Sequence, residues 1–249
     1  MLVSAYVIHT RPFQENKVLL DLLTREMGVV RAVYRLPKKG ARVTPGPFLR
    51  YEIELKGRSE LKTVYQMESI EAPVRIYGNH LYASMYVHEL LGRLLPNGVP
   101  VQDVFVLYEW LLASLQTEAP LAPLLRRFES GLFHELGVGI NMACTSTGKA
   151  IDPQQLYQFD FKFGLRPYLG DKPKQLPALF VAGEIALGYA AGEWRNKAIL
   201  LMAKELHRLW LDYLLSGKPV QARRLLPKAT FSGERRFGVP LFLMVKTTD

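Results

Sequence analysis

Between Arg31 and Arg50 the chain carries Arg31, Arg35, Lys38, Lys39, Arg42 and Arg50, and not one Asp or Glu. Uncancelled guanidinium and ammonium groups at that density suit the phosphates of a polyanion. Tyr34, Phe48 and Tyr51 lie among them and offer rings on which unpaired bases can stack. The alternative is a solvated loop whose lysines only keep an edge strand from pairing with another chain. A second basic run holds Lys218, Arg223, Arg224, Lys228, Arg235 and Arg236, opposed only by Glu234. It reads either as an extension of the same path or as a tail of general charge. The pair Arg126-Arg127 stands beside an apolar helical stripe. Guanidinium groups there suit a peptide that ends in a carboxylate and carries aromatic side chains, or they are ordinary surface arginines.

The constellations of an enzyme fail on inspection. Thr147-Gly148-Lys149-Ala150 resembles the end of a phosphate-binding loop, but Ala143 stands where its first glycine belongs and Ala150 where its magnesium hydroxyl belongs. There is no Gly-x-Ser-x-Gly elbow. His9, His80, His88, His134 and His207 are scattered without metal-ligand spacing, and the single cysteine, Cys144, cannot build a cysteine zinc site. Glu52 with Glu54 and Glu68 with Glu71 are close in sequence, but solvated strand faces account for them.

Short strands must position the first basic run. Alternating apolar residues predict strands over 3–9, 18–24, 29–34, 48–55 and 61–66, five in a span that suits an OB-fold barrel with one curved face for oligonucleotides. Residues 37–47 are too rich in Pro and Gly for regular structure and predict an exposed loop. From about residue 79 the period becomes helical, with Tyr82, Tyr86, Leu90 and Leu94 four apart and a stop at Pro96-Asn97-Gly98. A helix over 101–115 is apolar nearly all round, which predicts the centre of a bundle. Leu121, Leu124, Leu125, Phe128, Leu132, Phe133 and Leu136 form the clearest stripe and end at Gly137. Tyr157, Phe159, Phe161 and Phe163 alternate with polar residues and predict a strand or hairpin, and a last helix spans 195–215. The expected class is α+β: an N-terminal OB-fold β-barrel over 1–77 followed by a mainly α-helical domain over 78–249, with an irregular insert at 141–177.

The 32 Lys and Arg against 23 Asp and Glu leave a formal net charge of +9, which favours a polyanionic partner over a small acidic substrate. One cysteine permits no intramolecular disulfide and points to a reducing compartment. The opening residues do not resemble a secretory signal, and no stretch approaches the ~20 apolar residues that a bilayer span needs, so a soluble intracellular protein is expected.

Several blocks resemble one known family, the RecO recombination mediators. Tyr6-Val7-Ile8-His9-Thr10-Arg11-Pro12-Phe13-Gln14-Glu15 and Leu19-Leu20-Asp21-Leu22-Leu23-Thr24-Arg25-Glu26-Met27-Gly28 are similar to its barrel. Gly57-Arg58-Ser59-Glu60-Leu61-Lys62-Thr63, Tyr86-Val87-His88-Glu89-Leu90-Leu91, Leu125-Arg126-Arg127-Phe128-Glu129 and residues 213–223 follow in the family's order. The resemblance implies a cytoplasmic, nucleoid-associated and non-enzymatic protein. It implies binding of single- and double-stranded DNA, annealing of complementary strands, and loading of the RecA recombinase together with RecR. It also implies docking of the C-terminal tail of single-stranded-DNA-binding protein, with Arg126 at the family's tail-binding arginine. Many members carry a cysteine-ligated zinc near residues 141–151. Only Cys144 remains here, so no metal and no other cofactor is expected. The DNA-binding candidates are Arg31, Tyr34, Arg35, Lys38, Lys39, Arg42, Arg50, Lys218, Arg223 and Arg224; the tail-binding candidates are Arg126 and Arg127.

Overall fold

The computed structural model describes residues 1–37, 44–72, 74–170 and 179–226. The chain forms two compact units, one from Met1–Leu121 with a returning segment that starts at Lys218, the other from Ala122–Gly217.

The first unit begins with five strands, β1 (Leu2–Gln14), β2 (Lys17–Thr24), β3 (Gly28–Arg35), β4 (Arg50–Lys56) and β5 (Lys62–Ser69). They close into a barrel in the order β1-β2-β3-β5-β4, with β3 and β5 parallel and the other pairs antiparallel, the OB-like arrangement expected. Alternation sets the faces: Val18, Leu20 and Leu22 of β2 and Val30 and Ala32 of β3 are buried, whereas Lys17, Leu19 and Asp21 of β2 and Arg31, Val33 and Arg35 of β3 stand on the outer face. β1 runs well past residue 9. Ile8 and Phe13 are each an extra residue against β2, and such bulges bend a long strand around a small barrel.

Two helices follow, α1 (Gly78–Leu94) and α2 (Gln102–Leu115). α2 is not the centre of a helical bundle. It buries Val104, Phe105, Tyr108, Leu111, Leu112 and Leu115 and leaves Val106 half exposed. Tyr6 of the barrel meets Phe105 and Tyr108 at 5.4 and 5.1 Å between ring centres. An all-round apolar pattern fixes burial but not the partner, and here a barrel strand supplies it. The returning segment forms one 3₁₀ turn, Gln221–Arg224, clamped to α1. The Glu89 carboxylate accepts the backbone N–H groups of Gln221 (2.9 Å) and Ala222 (2.8 Å). Arg93 donates to Glu89 (2.9 Å) and to the carbonyls of Pro219 (2.8 Å) and Lys218 (3.0 Å). Partial burial works against the charge on Glu89, but these donors outweigh it and hold the carboxyl below its usual range.

The second unit holds α3 (Leu121–Glu135), a three-stranded sheet of β6 (Leu156–Asp160), β7 (Gly164–Pro167) and β8 (Leu179–Ala182) in the order β7-β6-β8, then α4 (Gly183–Ala190) and α5 (Lys197–Leu214). The β6–β7 hairpin is the one the aromatic alternation predicts. β8 and α4 are too short to show a period. α5 starts where the Asn196 side chain accepts the Ala198 and Ile199 N–H groups. Its apolar stripe packs with Tyr157, Phe159, Leu165, Val181 and Ile185 into one core. Thr147-Gly148-Lys149 is the tip of a tight turn closed by bonds between Thr145 and Lys149, not a phosphate cradle.

Candidate nucleic-acid interface

Strand register assembles an outer barrel surface from β1, β2 and β3. His9, Asp21 and Arg31 form one cross-strand row, Arg11, Leu19 and Val33 the next, and Gln14, Lys17 and Arg35 the last. Four cations thus share a face with a single carboxylate. Asp21 is held by two of them, Arg11 at 3.0 Å and Arg31 at 2.9 Å. Lys17 and Arg35 stand directly opposite one another and neither has an ion-pair partner among the described residues. Like charges so placed destabilise a strand pair unless an anion joins them. The other side of the barrel has the reverse character, for Glu52, Glu54 and Glu68 line a shallow depression of about 480 Å³ with Met1 and Gln66.

The residues singled out in the sequence divide unevenly over these surfaces. Arg31 and Arg35 are exposed on the basic face, and the chain leaves it toward Lys38, Lys39 and Arg42, which lie outside the described residues. Arg50 stands elsewhere, in an ion pair with Glu109 at 3.0 Å and another with Glu71 at 3.4 Å, its Nε donating to Ser4. Tyr34 faces inward against the barrel core. Phe48 is buried on His88 (5.1 Å between ring centres) and Tyr51 is buried with its hydroxyl on Gly46, so neither ring is open to a base. The exposed rings of the barrel are Phe13 and Tyr65, each the extra residue of a bulge. Neither was singled out, because a bulge depends on the register of the partner strand. Lys56 lies over Tyr65 at 3.0 Å from the ring centre.

The clamp on α1 brings the second basic run to this same unit. Lys218 and Arg224 are exposed and Arg223 is half buried; Lys228, Arg235 and Arg236 lie outside the described residues. Arg224 lines a groove of about 900 Å³ together with Val7, Phe48, Met85 and Leu225.

In the second unit, Arg126 and Arg127 differ sharply. Arg127 is exposed, whereas Arg126 is buried and donates to Glu129 Oε1 at 2.7 Å. The other Glu129 oxygen accepts from His207 Nδ1 at 2.6 Å, and His207 Nε2 meets the Tyr189 hydroxyl at 2.7 Å. Desolvation lowers the His207 pKa despite the opposing pull of Glu129, so the ring is neutral. A carboxylate can only accept, so the one ring proton sits on Nδ1 and Tyr189 donates to Nε2. Arg126 Nε is buried with no hydrogen-bond partner.

In the first unit, burial likewise lowers His88 to about 3, where it shares a 2.6 Å hydrogen bond with Tyr108. Both rings are held neutral below the ordinary value of about 6.5, so on acidification the unfolded chain takes up protons that the folded chain refuses. Stability is therefore complete above about pH 6.5 and lost as pH falls, by up to roughly 1.4 kcal/mol per pH unit for each ring inside its window. Urea unfolding at pH 7.5 and 5.5 checks this: the midpoint should fall, and an unchanged or higher midpoint at the lower pH would contradict it.

The model of the Recombination protein O N terminal matches residues 1–73 and that of the Recombination protein O C terminal matches residues 78–219. The chain belongs to the RecO family. The DNA repair protein RecO of Pseudomonas aeruginosa PAO1 is 37% identical over 222 residues, covering 89% of this chain and 93% of the relative. That of Stutzerimonas stutzeri A1501 is 39% identical over 221 residues, covering 89% and 91%. That of Pseudoalteromonas atlantica is 34% identical over 238 residues, covering 94% and 97%. The two RecO matches meet between residues 73 and 78, just before α1. Among the described residues of this RecO-family chain no group of three or more His, Cys, Asp or Glu side chains is placed to hold a metal, and no helix is long and apolar enough to cross a membrane.

Proposed function

We propose that the chain is a non-enzymatic DNA repair mediator that binds single- and double-stranded DNA on the barrel of residues 1–77 and anneals complementary strands. The observation that carries this reading is the outer β1–β2–β3 face, where Arg11, Lys17, Arg31 and Arg35 surround one carboxylate and the chain runs on toward Lys38, Lys39 and Arg42. Lys218, Arg223 and Arg224 continue the path, whereas Arg50, paired with Glu109 and Glu71, would have to leave those partners to join it. Tyr34 contributes by packing beneath the face. Neutralising phosphates of two strands at once lowers their repulsion, so annealing needs no bond-breaking chemistry. The family resemblance extends the reading to RecA loading with RecR, in the cytoplasm at the nucleoid.

Binding of this kind is driven by counterion release. With four cations engaged, affinity for a labelled single strand should fall about 50-fold between about 50 and 200 mM salt, and Arg31→Ala with Arg35→Ala should reduce the logarithmic slope by roughly 1.4 while weakening all sequences alike. An affinity that stays flat with salt contradicts the reading.

The alternative reading, a protein-interaction hub with DNA affinity secondary, rests on a separate observation, the buried Arg126 Nε that lacks an acceptor. With Arg127 exposed on the same helix, it supports docking of the acidic tail of single-stranded-DNA-binding protein. Arg126→Lys keeps the charge beside Glu129 and removes the planar fork. It should abolish binding of an acidic, aromatic-ended peptide and leave annealing of naked strands intact; loss of both together in a folded variant counts against separate sites.

A further inference from the structure

The face that binds DNA in the reading above treats single strand and duplex alike if it offers only charge. Its last row offers more. Pro12 pairs with Val18 and Gln14 with Lys17, so Phe13 is the unpaired extra residue of β1 at the end of the strand pair, and the residue is 46% exposed. A single exposed aromatic is ordinary on a protein surface, but a bulge is a device for re-aiming a side chain, and this one lies at the end of the basic face. Next to it stand Lys17 and Arg35, directly opposed and without acidic partners among the described residues. The row Gln14, Lys17 and Arg35 with the unpaired Phe13 at its edge brings together the chemistry that one nucleotide needs: cations for its phosphate and a ring for its base.

We propose that Phe13 is the residue that makes the basic face prefer single-stranded over double-stranded DNA. A duplex buries its base faces by stacking and can offer the row only its phosphates. An unpaired base can leave its neighbours and lie on the Phe13 ring, so only the single strand gains from it. Tyr65, the other exposed ring of the barrel, does not serve in this way. Lys56 covers its face and is itself paired with Glu54, and β4 and β5 carry the acidic residues Glu52, Glu54 and Glu68 in place of a basic row.

This inference rests on DNA binding by the barrel face, and the experiment separates the two. Full-length protein is titrated against a labelled oligothymidylate and a labelled duplex of the same length. Phe13→Ala should weaken the single strand roughly 5- to 150-fold, the cost of one lost stack, and leave the duplex within about twofold. Phe13→Trp should retain the preference, Phe13→Leu, which is apolar but has no π-face, should lose it, and Tyr65→Ala should change nothing. Lys17→Ala should weaken both ligands equally. Equal weakening of both ligands by Phe13→Ala, or no change in either, overturns the proposal while DNA binding stands. Salt-independent binding of the unaltered protein to both ligands overturns the parent reading instead.

Discussion

Replacing Glu129 with alanine should cost the second unit about 3–5 kcal/mol, the usual consequence of stranding one charge of a buried pair. Glu129 is fully buried and its two oxygens serve different helices, one the Arg126 guanidinium on α3 and the other the His207 ring on α5. Without it Arg126 keeps a buried charge with no counterion, and His207 Nδ1 loses the acceptor that sets its tautomer. Urea unfolding followed by the fluorescence of Trp194 and Trp210 reads this unit. Glu129→Gln, which keeps an acceptor but no charge, should fall between the two. Arg126→Met with Glu129→Leu should recover much of the loss, because replacing both partners removes the desolvation problem. A cost below about 1 kcal/mol for Glu129→Ala would mean that the triad is better hydrated than its geometry requires.

Gly28→Ala should destabilise the first unit by about 2–4 kcal/mol. Gly28 lies at φ +66°, where a side chain is strained, and an added Cβ would stand 1.9 Å from the Val99 carbonyl oxygen. The β2–β3 turn cannot yield freely, for the Gly98 N–H donates to the Val29 carbonyl at 2.9 Å and Thr24 Oγ1 donates to the Gly28 carbonyl at 2.8 Å. The loss should show as a lowered unfolding midpoint in the transition reported by Trp110. Gly57→Ala is the matching control: its φ is +110°, but the nearest atom to an added Cβ is 3.8 Å away, so strain acts there without collision. If the two substitutions cost the same, contact with Val99 is not the cause.

The barrel was legible because five runs of alternating residues carried the period of a strand, and the long helices because their stripes carried the period of 3.6. Part of the candidate site is legible too. Tyr34 shares phase with Val30 and Ala32, and Tyr51 with Ile53 and Leu55, so the pattern that predicts the strands also turns those rings inward. Other features have no local signature. Arg50 meets Glu109 across 59 positions of sequence, and Phe48 is buried at φ +64°, a backbone state that an L-residue rarely advertises. Phe13 and Tyr65 protrude because partner strands fall one residue short, and α4 is too brief for its period to stand out.

The clamp formed by Glu89 and Arg93 has a consequence for how the protein is made. A ribosome delivers the barrel, α1 and α2 first, yet the strand of chain that satisfies Glu89 is synthesised only after the whole intervening unit. At roughly 5–20 residues per second that is a wait on the order of 5–20 s. Throughout it the nascent barrel unit must hold together with the Glu89 carboxylate answered by Arg93 alone, and a chain released early would leave it so permanently.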